Sequence, residues 1–203
     1  MTRHLISPSL SVAALVMATT LVTGSPALAQ TPDQTACGAV YGRGYTGQQQ
    51  IEACTRLIQG GRLQPNDLAQ AYQLRGKAKA MSGDNPGALA DYGEAIRLRP
   101  VYPLAFYNRG TALNRLQRYD EAVADFTRAI AQQPGYAWAH VNRGNSHIFS
   151  GRLQEAITDY SEAIRLDPSI REAWNNRGVA RRRLGDTAGA DADRAEAARR
   201  AAP

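Results

Sequence analysis

The sequence predicts an all-α chain, an α-solenoid of antiparallel helix hairpins, and three observations predict it. The pair Arg-Gly recurs every 34 residues, at Arg75-Gly76, Arg109-Gly110, Arg143-Gly144 and Arg177-Gly178. Sixteen residues after each Arg stands an Asp: Asp91, Asp125, Asp159 and Asp193. Pro100, Pro134 and Pro168 keep the same beat, and the apolar residues between them fall three and four apart. That spacing is the buried stripe of a helix, and Pro cannot continue one. A fixed period of this length marks stacked units, none of which can bury its apolar face alone.

Residues 1–29 are expected to lie outside the fold as a signal peptide. Arg3 and His4 form a positive start, an apolar run follows from Leu10 to Val22, and Ala27-Leu28-Ala29 ends it. Small residues flanking a larger one fit a signal-peptidase site, and the run is too short for a spanning helix. The mature chain is expected to begin at Gln30, and no Cys follows Ala29 to carry a lipid. An uncleaved N-terminal anchor is the alternative. Export places the protein in the periplasm or outside the cell. An Arg- and Ala-rich chain whose only lysines are Lys77 and Lys79 has the composition of a GC-rich bacterial genome.

Residues 30–68 read as a worn extra unit. Ile51-Glu52-Ala53-Cys54-Thr55-Arg56-Leu57-Ile58 copies the second-helix pattern of Tyr92 to Ile96, with Cys54 in the aromatic place. Counting back from it puts Gly38 in the Gly column beside Cys37. The two cysteines, the only ones in the chain, are expected to face each other and form one disulfide in an oxidising compartment. Two buried thiols are the alternative. No C-x-x-C is present to make a redox-active pair.

Four units follow, 69–102, 103–136, 137–170 and 171–203. Their columns agree in register. Small residues recur at Ala88, Ala122, Ala156 and Ala190, and again at Ala95, Ala129, Ala163 and Ala197. A ring column holds Tyr92, Phe126 and Tyr160, then Arg194. Ile96, Ile130 and Ile164 give way to Ala198, so the last unit is worn in the manner of a polar cap. Tyr72, Phe106, His140 and Trp174 open the units. Breaks fall at Gly83-Asp84-Asn85-Pro86, Gln117-Arg118, Gly151-Arg152 and Gly185-Asp186, with Asp84 or Asn85 placed to cap the next helix. Each Arg is expected to pair with its Asp across the hairpin, as structure rather than as a binding groove.

These columns resemble tetratricopeptide repeats. The residues that carry the resemblance are Tyr107-Asn108-Arg109-Gly110, Tyr119-Asp120-Glu121-Ala122, Asp125-Phe126, Ala129-Ile130 and Pro134. Val141-Asn142-Arg143-Gly144, Ala156-Ile157, Asp159-Tyr160, Ala163-Ile164 and Pro168 repeat them. The family's usual large apolar residue before the Gly is Arg here. The resemblance implies a right-handed α-solenoid whose first helices line a concave groove for an extended peptide or another protein. It implies that Asn108, Asn142 and Asn176 face that groove, with Leu74 breaking the column. An amide side chain both donates and accepts, so it can read a peptide backbone. The neighbouring groove candidates by helical spacing are Gln73, Lys77, Tyr107, Thr111, Asn114, Arg115, Trp138, Val141, Asn145 and Asn175. Lys77 and Arg115 suit a carboxylate, and an exposed Trp138 would anchor a partner.

Catalytic chemistry is not expected. His140 and His147 lie seven apart without a third ligand, and no Gly-x-Ser-x-Gly or phosphate loop appears. No metal or cofactor is implied. The formal charge of +6 comes almost wholly from Arg at repeat spacing, which suits an acidic partner or an anionic envelope surface rather than nucleic acid. Arg181-Arg182-Arg183 and Arg199-Arg200 read as solvated helix faces. The expected function is an adaptor of the cell envelope that holds a protein or peptide in its concave face. The rival is a structural module that stacks on a second copy through its last helix.

Overall fold

The computed structural model describes residues 31–39 and 44–200; the signal-peptide expectation and Pro203 lie outside them. Among the described residues there are ten helices and no strand, arranged as an α-solenoid. A short N-terminal hairpin pairs α1 (Pro32–Gly38) with α2 (Gly47–Gln59). Four longer hairpins follow: α3 (Pro65–Met81) with α4 (Asn85–Leu98), α5 (Pro103–Arg115) with α6 (Tyr119–Gln132), α7 (Ala137–Phe149) with α8 (Leu153–Leu166), and α9 (Arg171–Arg183) with α10 (Thr187–Arg199). Helix α3 starts at Pro65, a turn earlier than a unit opening at residue 69, because Pro at the first helical position needs no amide partner. No helix among the described residues is long and apolar enough to cross a membrane.

The turns follow from single residues. Gly83, Gly151 and Gly185 take a left-handed backbone between the two helices of their hairpins, and Gln117 does so in the second, the one non-Gly residue described with positive φ. Asp84 and Asp186 cap α4 and α10, each accepting from a backbone N–H at 2.8 Å.

Each hairpin closes on its glycine. A Cβ on Gly110 would stand 2.9 Å from the Phe126 ring, and one on Gly144 would stand 2.8 Å from the Tyr160 ring. Phe126 and Tyr160 are buried, and so are the two alanine columns around them. The second-helix ring therefore rests directly on the first-helix backbone. In the fourth hairpin Arg194 holds the ring position, and Gly178 faces only the Ala190 carbonyl and the Asp193 side chain.

Beside each glycine the Arg reaches across the hairpin. Arg75, Arg109, Arg143 and Arg177 each place Nη2 2.7 Å from an oxygen of Asp91, Asp125, Asp159 and Asp193. The Nε–H donates to the same carboxylate, so every pair is bidentate. The four carboxylates are buried, so these pairs are not the weak exposed kind. The third donor of the guanidinium runs backwards along the array. Arg75 donates to Thr55, Arg143 to Thr127 and Arg177 to Ser161, each on the preceding second helix. Arg109 has no such acceptor because Gly93 occupies that place, and its side chain is the most exposed of the four at 29%. One side chain thus ties three helices together wherever the hydroxyl is present.

The first unit solves the same problem covalently. Cys37 and Cys54 form a disulfide with Cα atoms 4.8 Å apart, in the positions that Arg75 and Tyr92 hold in the next hairpin. Gly38 ends α1, and a Cβ there would meet nothing within 4 Å, so it is not a seat for a ring. Helix α1 has only seven residues and stops before its glycine can face a partner.

Two stability outcomes follow. Gly110→Ala is expected to cost about 1–3 kcal/mol through overpacking against a ring that cannot move, while Gly178→Ala costs far less. Gly93→Ser is expected to stabilise by roughly 1–2 kcal/mol, since a Cβ there meets nothing within 4 Å and the hydroxyl supplies the missing acceptor for Arg109. Urea unfolding of the three variants checks both; a neutral Gly110→Ala would contradict the ring-on-glycine account.

Candidate functional site

Neighbouring first helices approach one another along the array, whereas neighbouring second helices do not come within 8 Å between Cα atoms. The array therefore curves with the first helices inside. The side of each first helix turned away from its own second helix presents four residues at spacings of four, three and four, which is one helical face. On α3 these are Gln70, Leu74, Lys77 and Met81; on α5, Leu104, Asn108, Thr111 and Arg115. On α7 they are Trp138, Asn142, Asn145 and Phe149; on α9, Glu172, Asn176, Val179 and Arg183. None of the sixteen is buried.

Large exposed apolar side chains gather on this face. Met81, Leu104, Trp138, Phe149 and Val179 all lie on it, and outside it only Val101 and Leu184 among the described residues are comparably exposed. Trp138 is 43% exposed and Phe149 64%. The Phe149 ring stacks on Tyr119 with centroids 5.1 Å apart, which holds an aromatic shelf open to solvent. Such clustering leaves an apolar stretch in water on one side of the array.

The asparagines in the middle columns are already occupied. Asn142 donates to the Tyr107 hydroxyl at 2.9 Å, and its carbonyl oxygen faces Asn145 Nδ2 at 3.4 Å. Asn145 Oδ1 accepts from the Tyr160 hydroxyl at 2.7 Å and from Asn176 Nδ2 at 2.9 Å. Burial pushes the pKa of Tyr160 well up, so that hydroxyl stays a donor. The amides thus form a ladder from α5 to α9 that fixes the floor of the face. Asn108 is half-exposed and makes no side-chain hydrogen bond among the described residues.

Of the sequence candidates, Lys77, Asn108, Arg115, Trp138, Asn142, Asn145, Thr111 and Asn176 share this face. Lys77 is exposed and Arg115 donates to the Ala80 carbonyl at 2.8 Å; neither has an acidic partner among the described residues. Tyr107 stands apart. It is wedged between Phe126 and Tyr136, with centroids 5.9 Å and 4.8 Å away, and offers only its hydroxyl to Asn142. Gln73 and Val141 are corrections: both are buried, because each precedes a face residue by one position and turns toward the neighbouring helices. Asn114 is taken up between α5 and α7 by Ser146. Asn175 lies off the face, beside Arg194 in a 380 Å³ cleft at the end of the array. Arg181 is not a solvated cation either, since it reaches Asp193 at 2.9 Å. Met81, Leu104, Phe149 and Val179 were missed by sequence reading, although the 34-residue columns through Trp138, Arg115 and Asn145 contain them.

No group of three or more His, Cys, Asp or Glu among the described residues is placed to hold a metal ion.

Comparison with known proteins agrees with the hairpin geometry. Residues 74–137 match the profile described as a tetratricopeptide repeat, and residues 150–185 match a second profile of the same repeat. The chain is 43% identical over 58 residues to small glutamine-rich tetratricopeptide repeat-containing protein 2 of Mycosarcoma maydis, a match covering 28% of this chain and only 16% of that protein. Crystalline MamA superposes with a TM-score of 0.70 at 22% identity, over 76% of this chain and 88% of that one, a likeness of fold. The first repeat domain of Spaghetti (RPAP3), solved with the HSP90 peptide SRMEEVD, gives 0.58 at 26% identity over 59% of this chain and 95% of that one. The second domain of human RPAP3, solved with the HSP70 peptide SGPTIEEVD, gives 0.57 at 28% identity over 58% and 98%.

Asn145→Ala should cost about 1–3 kcal/mol, because it strands the Tyr160 hydroxyl and the Asn176 amide together. Asn108→Ala should change stability by less than about 0.5 kcal/mol, as a surface substitution does. Thermal unfolding of the pair measures the difference, and equal effects would show that the ladder is not holding the floor.

Proposed function

We propose that this array of tetratricopeptide repeats is a non-enzymatic adaptor of the bacterial cell envelope that binds an extended, acid-containing peptide segment of another protein on its inner face. The observation that carries the reading is the concentration of exposed Met81, Leu104, Trp138, Phe149 and Val179 on the one surface that the curvature leaves hollow. An apolar shelf with a fixed polar floor can seat alternate side chains of a strand-like peptide, and buried aromatic anchors carry most of such binding energy.

The charge on the same face favours an acidic partner. Lys77, Arg115 and Arg183 stand against the single acid Glu172. The two RPAP3 domains were solved with peptides ending in Glu-Glu-Val-Asp, which is the chemistry a face of this sign would take. Residues 1–29 and the Cys37–Cys54 disulfide support an exported chain, since disulfides persist in oxidising compartments.

The rival, self-stacking through the last helix, has less to work with. The outward side of α10 carries Ala188, Asp191, Ala192, Arg194, Ala195 and Ala198, with no large apolar side chain to bury against a second copy.

Fluorescence anisotropy with labelled SRMEEVD, and with a panel of acidic and basic decapeptides containing Leu or Phe, tests the reading. Acidic members are expected to bind, and Trp138→Ala or Lys77→Glu with Arg115→Glu to weaken them at least tenfold, about 1.4 kcal/mol. Peptide binding that survives all three substitutions would remove the inner face as the site.

A further inference from the structure

The fourth hairpin lacks the ring that its neighbours have. In the three hairpins from α3 to α8, a Cβ on the first-helix glycine would stand 2.8–2.9 Å from a Tyr or Phe ring. At Gly178 the nearest atoms to such a Cβ are the Ala190 carbonyl oxygen at 3.2 Å and Asp193 Cβ at 3.3 Å. Arg194 holds the ring position, yet it is exposed and supplies none of the three atoms nearest that Cβ. What remains is a cleft of 380 Å³ lined by Asn175, Gly178, Val179, Arg182, Ala190 and Arg194. The contacts that set the helix spacing elsewhere are still present. Ala190 and Ala197 keep the two alanine columns and are buried, and Arg177 holds Asp193 at 2.7 Å.

We propose that this cleft is a docking site for the phenyl ring of a partner protein's Phe flanked by acidic residues. Three features fix that occupant. The floor of Gly178 and Ala190 belongs to the same two columns on which Phe126 and Tyr160 lie in the earlier hairpins, so it has the shape that takes a flat ring. The far end suits a phenyl rather than a phenol. Tyr160 donates its hydroxyl to Asn145 Oδ1 at 2.7 Å, and Val179 stands in that column of the last hairpin with no acceptor to offer.

The rim is cationic. Where the third hairpin flanks its ring with Val141 and Ile148, the fourth has Asn175 and Arg182. Arg182 reaches Asp191 at the surface, and Arg194 has no acidic partner among the described residues. Residues 171–200 carry eight Arg against five acids, so carboxylates beside the ring are attracted and a basic segment is repelled. The same rim disfavours a second copy packed as a further hairpin, which would bury Arg194 without a counter-charge. Only Val179 belongs both to this cleft and to the inner face, and neither reading stands on the other.

NMR of the isotope-labelled full chain tests the site with three probes: acetyl-Asp-Phe-Asp-amide, acetyl-Asp-Ala-Asp-amide and acetyl-Lys-Phe-Lys-amide. The acidic Phe peptide is expected to shift the backbone amides of Val179 and Ala190, and to bind about tenfold more tightly than either of the others, or better. Arg194→Phe, which copies Phe126, fills the seat from within, and Gly178→Ala raises its floor. Each is expected to remove the preference for the Phe peptide over the Ala peptide. Gly178→Ala is the milder change and keeps the test decisive if Arg194→Phe fails to fold. A preference that survives in either folded variant, an equal response to all three peptides, or no response of these amides would overturn the proposal. Amides that shift with protein concentration alone would give the seat to a second copy and overturn it too.

Discussion

In the three hairpins from α3 to α8 the two helices close tightly because the first helix has no side chain at one point. The ring of the second helix takes that space, and a Cβ would stand inside its contact distance at Gly110 and Gly144. That approach brings the guanidinium beside the glycine within reach of the opposite carboxylate, and it draws two alanine columns out of water. The close fit supplies the packing, while the ion pair fixes the axial register, since a bidentate fork tolerates little sliding. Curvature follows as well. First helices drawn tightly inward touch their neighbours, second helices splay, and a hollow surface results.

The deviations from the repeat are informative because each has a local physical consequence. Gly93 removes a hydroxyl and leaves Arg109 tied to two helices instead of three. Arg194 removes a ring and leaves the outward side of α10 without a large apolar side chain. Cysteine in place of both the Arg and the ring puts a covalent bond where the other hairpins have that contact, beside an ion pair of Asp33 with Arg56. The histidines of the third hairpin exchange the apolar contacts of Phe106 and Leu113 for polar approaches to Asp159.

The fold was largely legible in the sequence, because stacking forces every unit to repeat the same contacts and so writes them as columns. The Gly, Asp, Ala and Pro columns each mark one contact or one helix end. The exposed apolar face was legible only in part. Asn108, Asn142 and Trp138 stood out by type or by column, but Met81, Leu104 and Phe149 look like ordinary core residues by their side-chain type. Val141 and Gln73 erred the other way, since a shift of one residue turns a side chain by 100° about the helix. The backward reach of Arg75, Arg143 and Arg177 to a Thr or Ser was hidden because it joins different units.

The sequence by itself determined the all-helical hairpin architecture, the ion-pair register and the cysteine pair. These depend on contacts within one unit, whose spacing along the chain is fixed. The tertiary structure alone decided which apolar side chains remain in water, how the asparagines use their hydrogen bonds, and that two histidines share one carboxylate. Those outcomes depend on how units lean on one another and how deep each group comes to lie, and spacing along a chain carries neither angle nor depth.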